Sequence, residues 1–211
     1  MKACIFSLFL ISCVKTLPSR NIQGDTPQIK TFGFSESQML VIERTFALLQ
    51  SLKAERLKID PKTYKSLSRF EHLFGFSFDG KRLFEWVGKR TQTISYRKAW
   101  TVAINQNKGQ ITIGDRFFSK LTELERLYLL VHEARHSDGH GFKHVKCPKG
   151  FQFVSSGQPE MSLEGTLACD DTDDGSYAFQ AAFLFELFAY GLFDQREAGL
   201  LYNSSILRIL N

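Results

Sequence analysis

The sequence predicts an α+β fold that is mostly helical, with a small antiparallel sheet placed directly before one well-capped helix. Residues 99–104 and Gln110–Ile113 are rich in β-branched and aromatic side chains, and the stretch between them is rich in Asn and Gly. This pattern predicts a β-hairpin. Thr122 and Glu125 follow in capping-box spacing, which predicts a helix over residues 123–137.

Four further helices are predicted around this unit. Ser35 and Gln38 can cap a helix over residues 37–58, and Pro61 suits the first position of a helix that ends near residue 73. We interpret residues 74–90 as irregular. Residues 142–176 predict a long loop, a feature that is usually functional in a compact domain. The last two helices are expected over residues 177–192 and 194–210.

Composition indicates one globular domain, which we place at residues 35–211. The chain has 211 residues, of which 43% are hydrophobic and 20 are Phe, so it can bury a large core. Its formal charge of +5 is dispersed along the chain rather than gathered into a basic stripe. A nucleic-acid partner is therefore not expected. We also expect the protein to be a monomer.

The N-terminus carries an export pattern. Lys2 precedes a short apolar run, and Leu10-Ile11-Ser12-Cys13 resembles the bacterial lipobox. This resemblance implies that residues 1–12 are a cleaved signal peptide and that Cys13 is lipidated. Residues 13–34 would then be a tether that holds the protein in a bacterial cell envelope. An ordinary signal peptide or a buried N-terminal helix is the alternative.

Two cysteines remain after the signal peptide and the lipidated residue are set aside. Cys147 and Cys169 are an even pair, and an exported protein folds in an oxidising compartment. We predict a disulfide between them, with a role as metal ligands as the alternative.

The strongest chemical signal is H-E-x-x-H, formed by His132, Glu133 and His136 on the predicted capped helix. Histidines four residues apart lie on one face of a helix, so both imidazoles can bind one Zn²⁺ ion. Glu133 points elsewhere and can act as a general base toward a water molecule. The alternative is a solvated helix face that happens to carry two histidines.

A helix with this motif, following a β-hairpin, resembles the active-site helix of the zincin metallopeptidases. In that architecture the edge strand of the sheet binds extended substrate. A catalytic zinc needs a third protein ligand, and several candidates compete. A metzincin pattern fails because residue 142 is Phe. A gluzincin pattern would use Glu186, and His144 can return to the metal after a turn.

Another candidate comes from residues 171–178, which resemble the aspzincin signature G-T-x-D-x-x-Y-G. Thr172, Asp174 and Tyr177 match in register, whereas both glycines are replaced. The resemblance implies that Asp174 is the third zinc ligand and that Tyr177 stabilises the oxyanion. Without the resemblance, this segment is an acidic surface loop in which Asp174 caps the next helix.

Together these features predict a lipid-anchored zinc metallopeptidase that acts on a peptide or protein substrate. Its zinc ligands would be His132, His136 and Asp174, and its catalytic residues Glu133 and Tyr177. Two other functions stay open. One is an envelope binding module with a structural zinc, which would fill all four ligand positions with protein atoms. The other is a zinc hydrolase with a non-peptide substrate.

Overall fold

The computed structural model describes residues 20–22, 28–99, 102–105, 109–138, 143–155 and 158–210. The predicted signal peptide, Cys13 and His140 lie outside these residues. The described part combines helices with small sheets, which confirms the predicted α+β class.

The bounds of the described elements follow the chain. The strands are β1 (Arg20–Ile22), β2 (Ile29–Phe32), β3 (Thr93–Tyr96), β4 (Ala103–Asn105), β5 (Gln110–Ile113), β6 (Val145–Lys146), β7 (Gln152–Ser155), β8 (Gln158–Ser162) and β9 (Leu167–Cys169). The helices are α1 (Glu36–Ser51), α2 (Pro61–Leu67), α3 (Phe70–Phe74), α4 (Gly80–Arg90), α5 (Asp115–Ser119), α6 (Glu123–Arg135), α7 (Ser176–Tyr190) and α8 (Gln195–Leu207).

The main sheet is mixed and has five strands, in the order β1-β2-β3-β5-β4. The predicted hairpin is confirmed, because β4 pairs antiparallel with β5. The expectation of a small antiparallel sheet is wrong, because β2–β3 and β3–β5 pair in parallel. The tether predicted over residues 13–34 also needs correction. It contains β1 and β2, and Ile29 and Thr31 of β2 are buried while Lys30 and Phe32 are exposed, as in a half-buried strand.

The helices pack around one core, in which α6 contacts α7 and α7 contacts α8. Thr122 and Glu125 form the predicted capping box of α6, and Ser35 and Gln38 form that of α1. Almost every side chain of α7 is buried, and Phe183 lies at its centre. None of the described helices has the length and apolarity needed to cross a membrane.

Three stretches differ from the predicted helices. The helix expected over residues 37–58 ends at Ser51, because Leu52 takes an extended conformation. The single helix expected from Pro61 to about residue 73 is divided into α2 and α3, because Ser68 takes an extended conformation at the end of α2. Residues 74–90, expected to be irregular, contain α4. Its N-cap Asp79 accepts a hydrogen bond from the Arg82 amide at 2.9 Å, and its apolar face, including Leu83 and Val87, is buried.

The predicted loop over residues 142–176 contains four short strands instead. β6 pairs with β9, and β7 pairs with β8, each antiparallel. The predicted disulfide joins Cys147 to Cys169, and these residues form a small apolar cluster with Leu163. A bridge of this sequence separation stabilises the fold by about 3 kcal/mol. We call residues 143–170 the disulfide module. It is attached next to the C-terminal end of α6.

Candidate metal centre

Three histidines converge where the C-terminal end of α6 meets the disulfide module. His132 lies in the last turn of α6, His136 is the C-cap residue of that helix, and His144 is the residue before β6. The Nε2 atoms form a nearly equilateral triangle. Their separations are 3.2 Å for His132–His136 and 3.1 Å for each of these residues with His144. No hydrogen-bonding tautomer satisfies three mutually facing Nε2 atoms at once, so a cation is the natural partner of this arrangement.

The triangle fits a metal ion. Tetrahedral coordination with a metal–nitrogen distance of about 2.0–2.1 Å requires nitrogens about 3.3 Å apart. Burial lowers the pKa of His132 well below its usual value, and the neighbouring His136 and His144 lower it further. The neutral imidazole is the form that binds a metal. The group His132, His136 and His144 can therefore bind a metal ion.

Asp170 orients His144. The Nδ1 atom of His144 lies 2.7 Å from Asp170 Oδ1, and the other carboxylate oxygen accepts a hydrogen bond from the Tyr177 amide at 2.8 Å. A Cβ atom on Gly175 would lie 2.3 Å from that second oxygen, so a glycine is required for Asp170 to reach the start of α7. A carboxylate on Nδ1 leaves Nε2 as the metal-binding nitrogen and strengthens it as a ligand.

Replacing Asp170 by asparagine should weaken Zn²⁺ binding by about 10- to 100-fold, because this carboxylate both orients and polarises His144. The amide keeps the size of the side chain but loses its charge and one of its two acceptors. Competition with a chromophoric chelator measures the affinity. Asp171→Asn, a change at the exposed neighbour, is the matched control. Equal affinities for both variants and the wild-type protein would contradict this role for Asp170.

The structure does not bring Asp174 to the two histidines of α6, so the third candidate ligand is His144 rather than Asp174. The Asp174 side chain is half exposed, and its Oδ2 atom lies 3.2 Å from Arg135 Nη2. Arg135 also donates to the Asp174 carbonyl, through Nε at 3.0 Å and Nη2 at 2.8 Å. Asp174 does not cap α7 either, because Gly175 is the N-cap residue.

Glu186, the gluzincin-type candidate, also lies away from the histidines. Its carboxylate accepts hydrogen bonds from Tyr64 at 2.9 Å and from Ser68 at 2.6 Å, both on the α2 side of the core. Burial raises the pKa of Glu186, which is a structural consequence of its place within α7.

Glu133 lies beside the histidines with little access to solvent. Its side chain is 6% exposed, and burial raises its pKa to about 8, an effect that a backbone hydrogen bond from Asn105 partly offsets. The Asn105 side chain also donates to the Glu133 carbonyl and, at 2.7 Å, to Ser137 Oγ. Asn105 therefore ties the end of the edge strand β4 to the turn of α6 that carries Glu133.

Tyr177 packs against the cluster. Its ring centroid lies 4.6 Å from that of His132 and 4.9 Å from that of His144. Arg208, itself buried, donates through Nη1 to the Tyr177 hydroxyl and places its guanidinium carbon 4.6 Å from the ring centroid. Burial raises the pKa of Tyr177, and the charge of Arg208 opposes this rise. The phenol is thus held in its protonated form next to the histidines.

The site opens into a cleft of about 660 Å³. Its lining comes from β4, α5, α6, the disulfide module and α7, together with Arg208 at the C-terminal end of α8. The lining includes all three histidines, Glu133, Tyr177 and Arg208. The cleft can therefore admit a ligand to the histidine cluster and bring it against a carboxyl group, a phenol and a guanidinium group.

Three of these polar residues were not found from the sequence. Asp170 follows Cys169 directly, so the predicted disulfide combined with a search for carboxylates near His144 could have indicated it. Asn105 and Arg208 carry no local signal, because only the sheet and the end of α8 bring them to the site.

In comparisons with protein-family models, curated proteins and solved structures, nothing matches this chain. The function is therefore argued from the chemistry of the site.

Proposed function

We propose that the protein is a zinc-dependent metallopeptidase with a zincin-like fold. One observation carries the proposal: three imidazole nitrogens converge beside the buried carboxyl group of Glu133, within a cleft. Three histidine ligands plus an open position are typical of catalytic zinc. The H-E-x-x-H spacing supplies two of these ligands and the acid from a single helix.

His132, His136 and His144 would hold the ion. A bound Zn²⁺ ion supplies Lewis acidity, which makes water a nucleophile near neutral pH and polarises a carbonyl group. Glu133 accepts the proton of the attacking water and later donates it to the leaving amine. The Tyr177 hydroxyl accepts a hydrogen bond from Arg208, and its ring packs against His132, so its own proton can be donated to stabilise the developing oxyanion.

The placement of β4 supports a peptide as the substrate. Among the described strands, β4 pairs with β5 alone, so it is an edge strand. Val102 and all three side chains of β4 line the cleft. Because consecutive side chains of a strand point to opposite faces of the sheet, the cleft must reach both faces of β4. The cleft therefore runs along the outer edge of β4, which faces away from β5. An extended peptide can add there by main-chain hydrogen bonds.

The alternative is a binding module with a structural zinc, which would need four protein ligands. Within the described residues, the candidate group contains three histidines and no fourth His, Cys, Asp or Glu. Together with the adjoining cleft, this favours the catalytic function. A non-peptide substrate, such as a fragment of the cell wall, is the second alternative, and the edge strand favours the peptide.

The proposal also includes the envelope location. It rests on the lipobox-like segment that ends at Cys13, and this segment lies outside the described residues. The lipid on Cys13 would hold the catalytic domain at a bacterial membrane.

Metal removal tests the proposed function. Purified zinc-loaded protein is incubated with an unfolded protein such as reduced casein, and new peptide termini are identified by mass spectrometry. We expect cleavage that 1,10-phenanthroline abolishes and one equivalent of Zn²⁺ restores, because the zinc supplies the Lewis acidity. Peptide cleavage that persists without metal, or zinc-loaded protein that cuts no peptide bond, would contradict the proposal.

A further inference from the structure

Large apolar side chains are exposed on both walls of the cleft. Ile104 of β4 is 49% exposed, and on the disulfide module Met161 is 43% and Leu167 is 67% exposed. Single exposed apolar residues are ordinary, but a group that lines one cavity marks a ligand-binding surface. Leu163 of the module and Leu129 of α6 continue this apolar lining into the cleft.

The acidic side chains in the cleft are engaged in other roles. Glu125 is the N3 residue of the α6 capping box and accepts a hydrogen bond from the Thr122 amide at 2.9 Å. Glu133 lies at the histidine cluster. Neither is placed to recognise a lysine or arginine side chain of a substrate along the wall formed by Met161, Leu163 and Leu167. Among the described residues that line the cleft, the only carboxylates are those of Glu125 and Glu133. The wall formed by Met161, Leu163 and Leu167 therefore matches an apolar group.

We propose that the cleft selects peptides that carry a bulky apolar side chain, such as Leu or Phe, next to the cleaved bond. Met161, Leu163 and Leu167 form the subsite that receives this side chain, and the outer edge of β4 lies beside the peptide backbone. This inference rests on the proposed peptidase function. The disulfide module thus supplies both the third histidine and the surface that determines specificity.

The subsite can be tested with a set of fluorogenic peptides that differ at the residues flanking the cleaved bond. The wild-type protein should cleave the Leu and Phe peptides at least about tenfold better than the Ala, Asp and Lys peptides, as judged by kcat/KM. Leu167→Asp and Met161→Asp should each reduce that preference severalfold while zinc content stays unchanged. Leu40→Asp is the matched control, because Leu40 lies on α1 and is 61% exposed. It should keep the full preference.

A binding measurement separates this inference from the proposed function. A labelled Leu-containing peptide is titrated into the Glu133→Gln protein, alone and combined with Leu167→Asp or with Met161→Asp, and fluorescence anisotropy is recorded. Binding that Leu167→Asp weakens about tenfold or more supports the subsite, whether or not the wild-type protein cleaves peptides. Peptide hydrolysis without an apolar preference, or apolar-peptide binding that both module variants leave unchanged, would overturn the subsite and leave the proposed function standing.

Discussion

The His144→Ala variant is expected to bind zinc several hundredfold more weakly than the wild-type protein. Structural zinc sites with four ligands bind with about 10–16 kcal/mol, so one ligand is worth about 2.5–4 kcal/mol, or about 70- to 900-fold in affinity. His144 is placed to contribute that share because its Nε2 atom lies 3.1 Å from the Nε2 atoms of both His132 and His136. Competition with a chelator of known affinity, followed by elemental analysis, measures the loss.

Two control variants make this test specific. Asp174→Asn changes the ligand expected from the aspzincin resemblance, and Asp174 is bound by Arg135 in the structure. We expect it to retain zinc with an affinity close to wild type. His140→Ala removes the remaining histidine of the run at four-residue spacing, and it too should retain zinc. Loss of zinc in Asp174→Asn together with retention of zinc in His144→Ala would show that Asp174, and not His144, is the third ligand.

The Glu133→Gln variant should keep its zinc and lose nearly all hydrolysis. The amide preserves the size of the side chain but cannot accept the proton of the attacking water. Loss of a general base lowers kcat by about 100- to 10,000-fold. Zinc affinity should change little, because Glu133 is not part of the histidine triangle. Steady-state rates and zinc content, measured on the same preparation, check both parts.

A second buried acid provides the control for Glu133. Glu186→Gln also removes a buried carboxyl group with a raised pKa, but its partners Tyr64 and Ser68 lie away from the histidines. The Glu186→Gln variant should retain hydrolysis within a small factor of wild type. If Glu133→Gln hydrolyses peptides at the wild-type rate, Glu133 is not the general base.

Local patterns predicted the parts of the site that lie on one element. The Thr122–Glu125 capping box and the four-residue spacing of His132 and His136 depend only on helix geometry, and both appear on α6 as expected. The Cys147–Cys169 disulfide followed from the cysteine count and is present.

The third histidine depended on tertiary structure. The sequence left both His144 and Asp174 as candidates for the third ligand. In the structure, contacts of Arg135 and Asp170 favour His144. Arg135 binds the carbonyl and carboxylate of Asp174, while Asp170 holds His144 by its Nδ1 atom. Neither contact has a signature in sequence spacing, because each joins elements more than 20 residues apart. A three-letter match to a family signature could not resolve it.

Several short strands were also missed by the sequence patterns. β2 has only four residues, and its two buried positions are too few to stand out from a polar, Gly- and Pro-containing stretch. The strands β6 to β9 are similarly short, and their positions follow from the disulfide and the small cluster around Leu163 rather than from alternation. The stretch that contains β2 therefore resembled a linker, and the stretch that contains β6 to β9 resembled a loop.

The proposed three-histidine zinc site can be observed by X-ray absorption at the zinc edge of the zinc-loaded wild-type protein. We expect one zinc per chain with three imidazole ligands and one non-protein oxygen donor, because the histidine triangle leaves one tetrahedral position open to the cleft. The spectrum of His140→Ala should be the same. A site with four protein ligands, or a spectrum with two imidazoles and a carboxylate, would rule out a three-histidine zinc site with one open position.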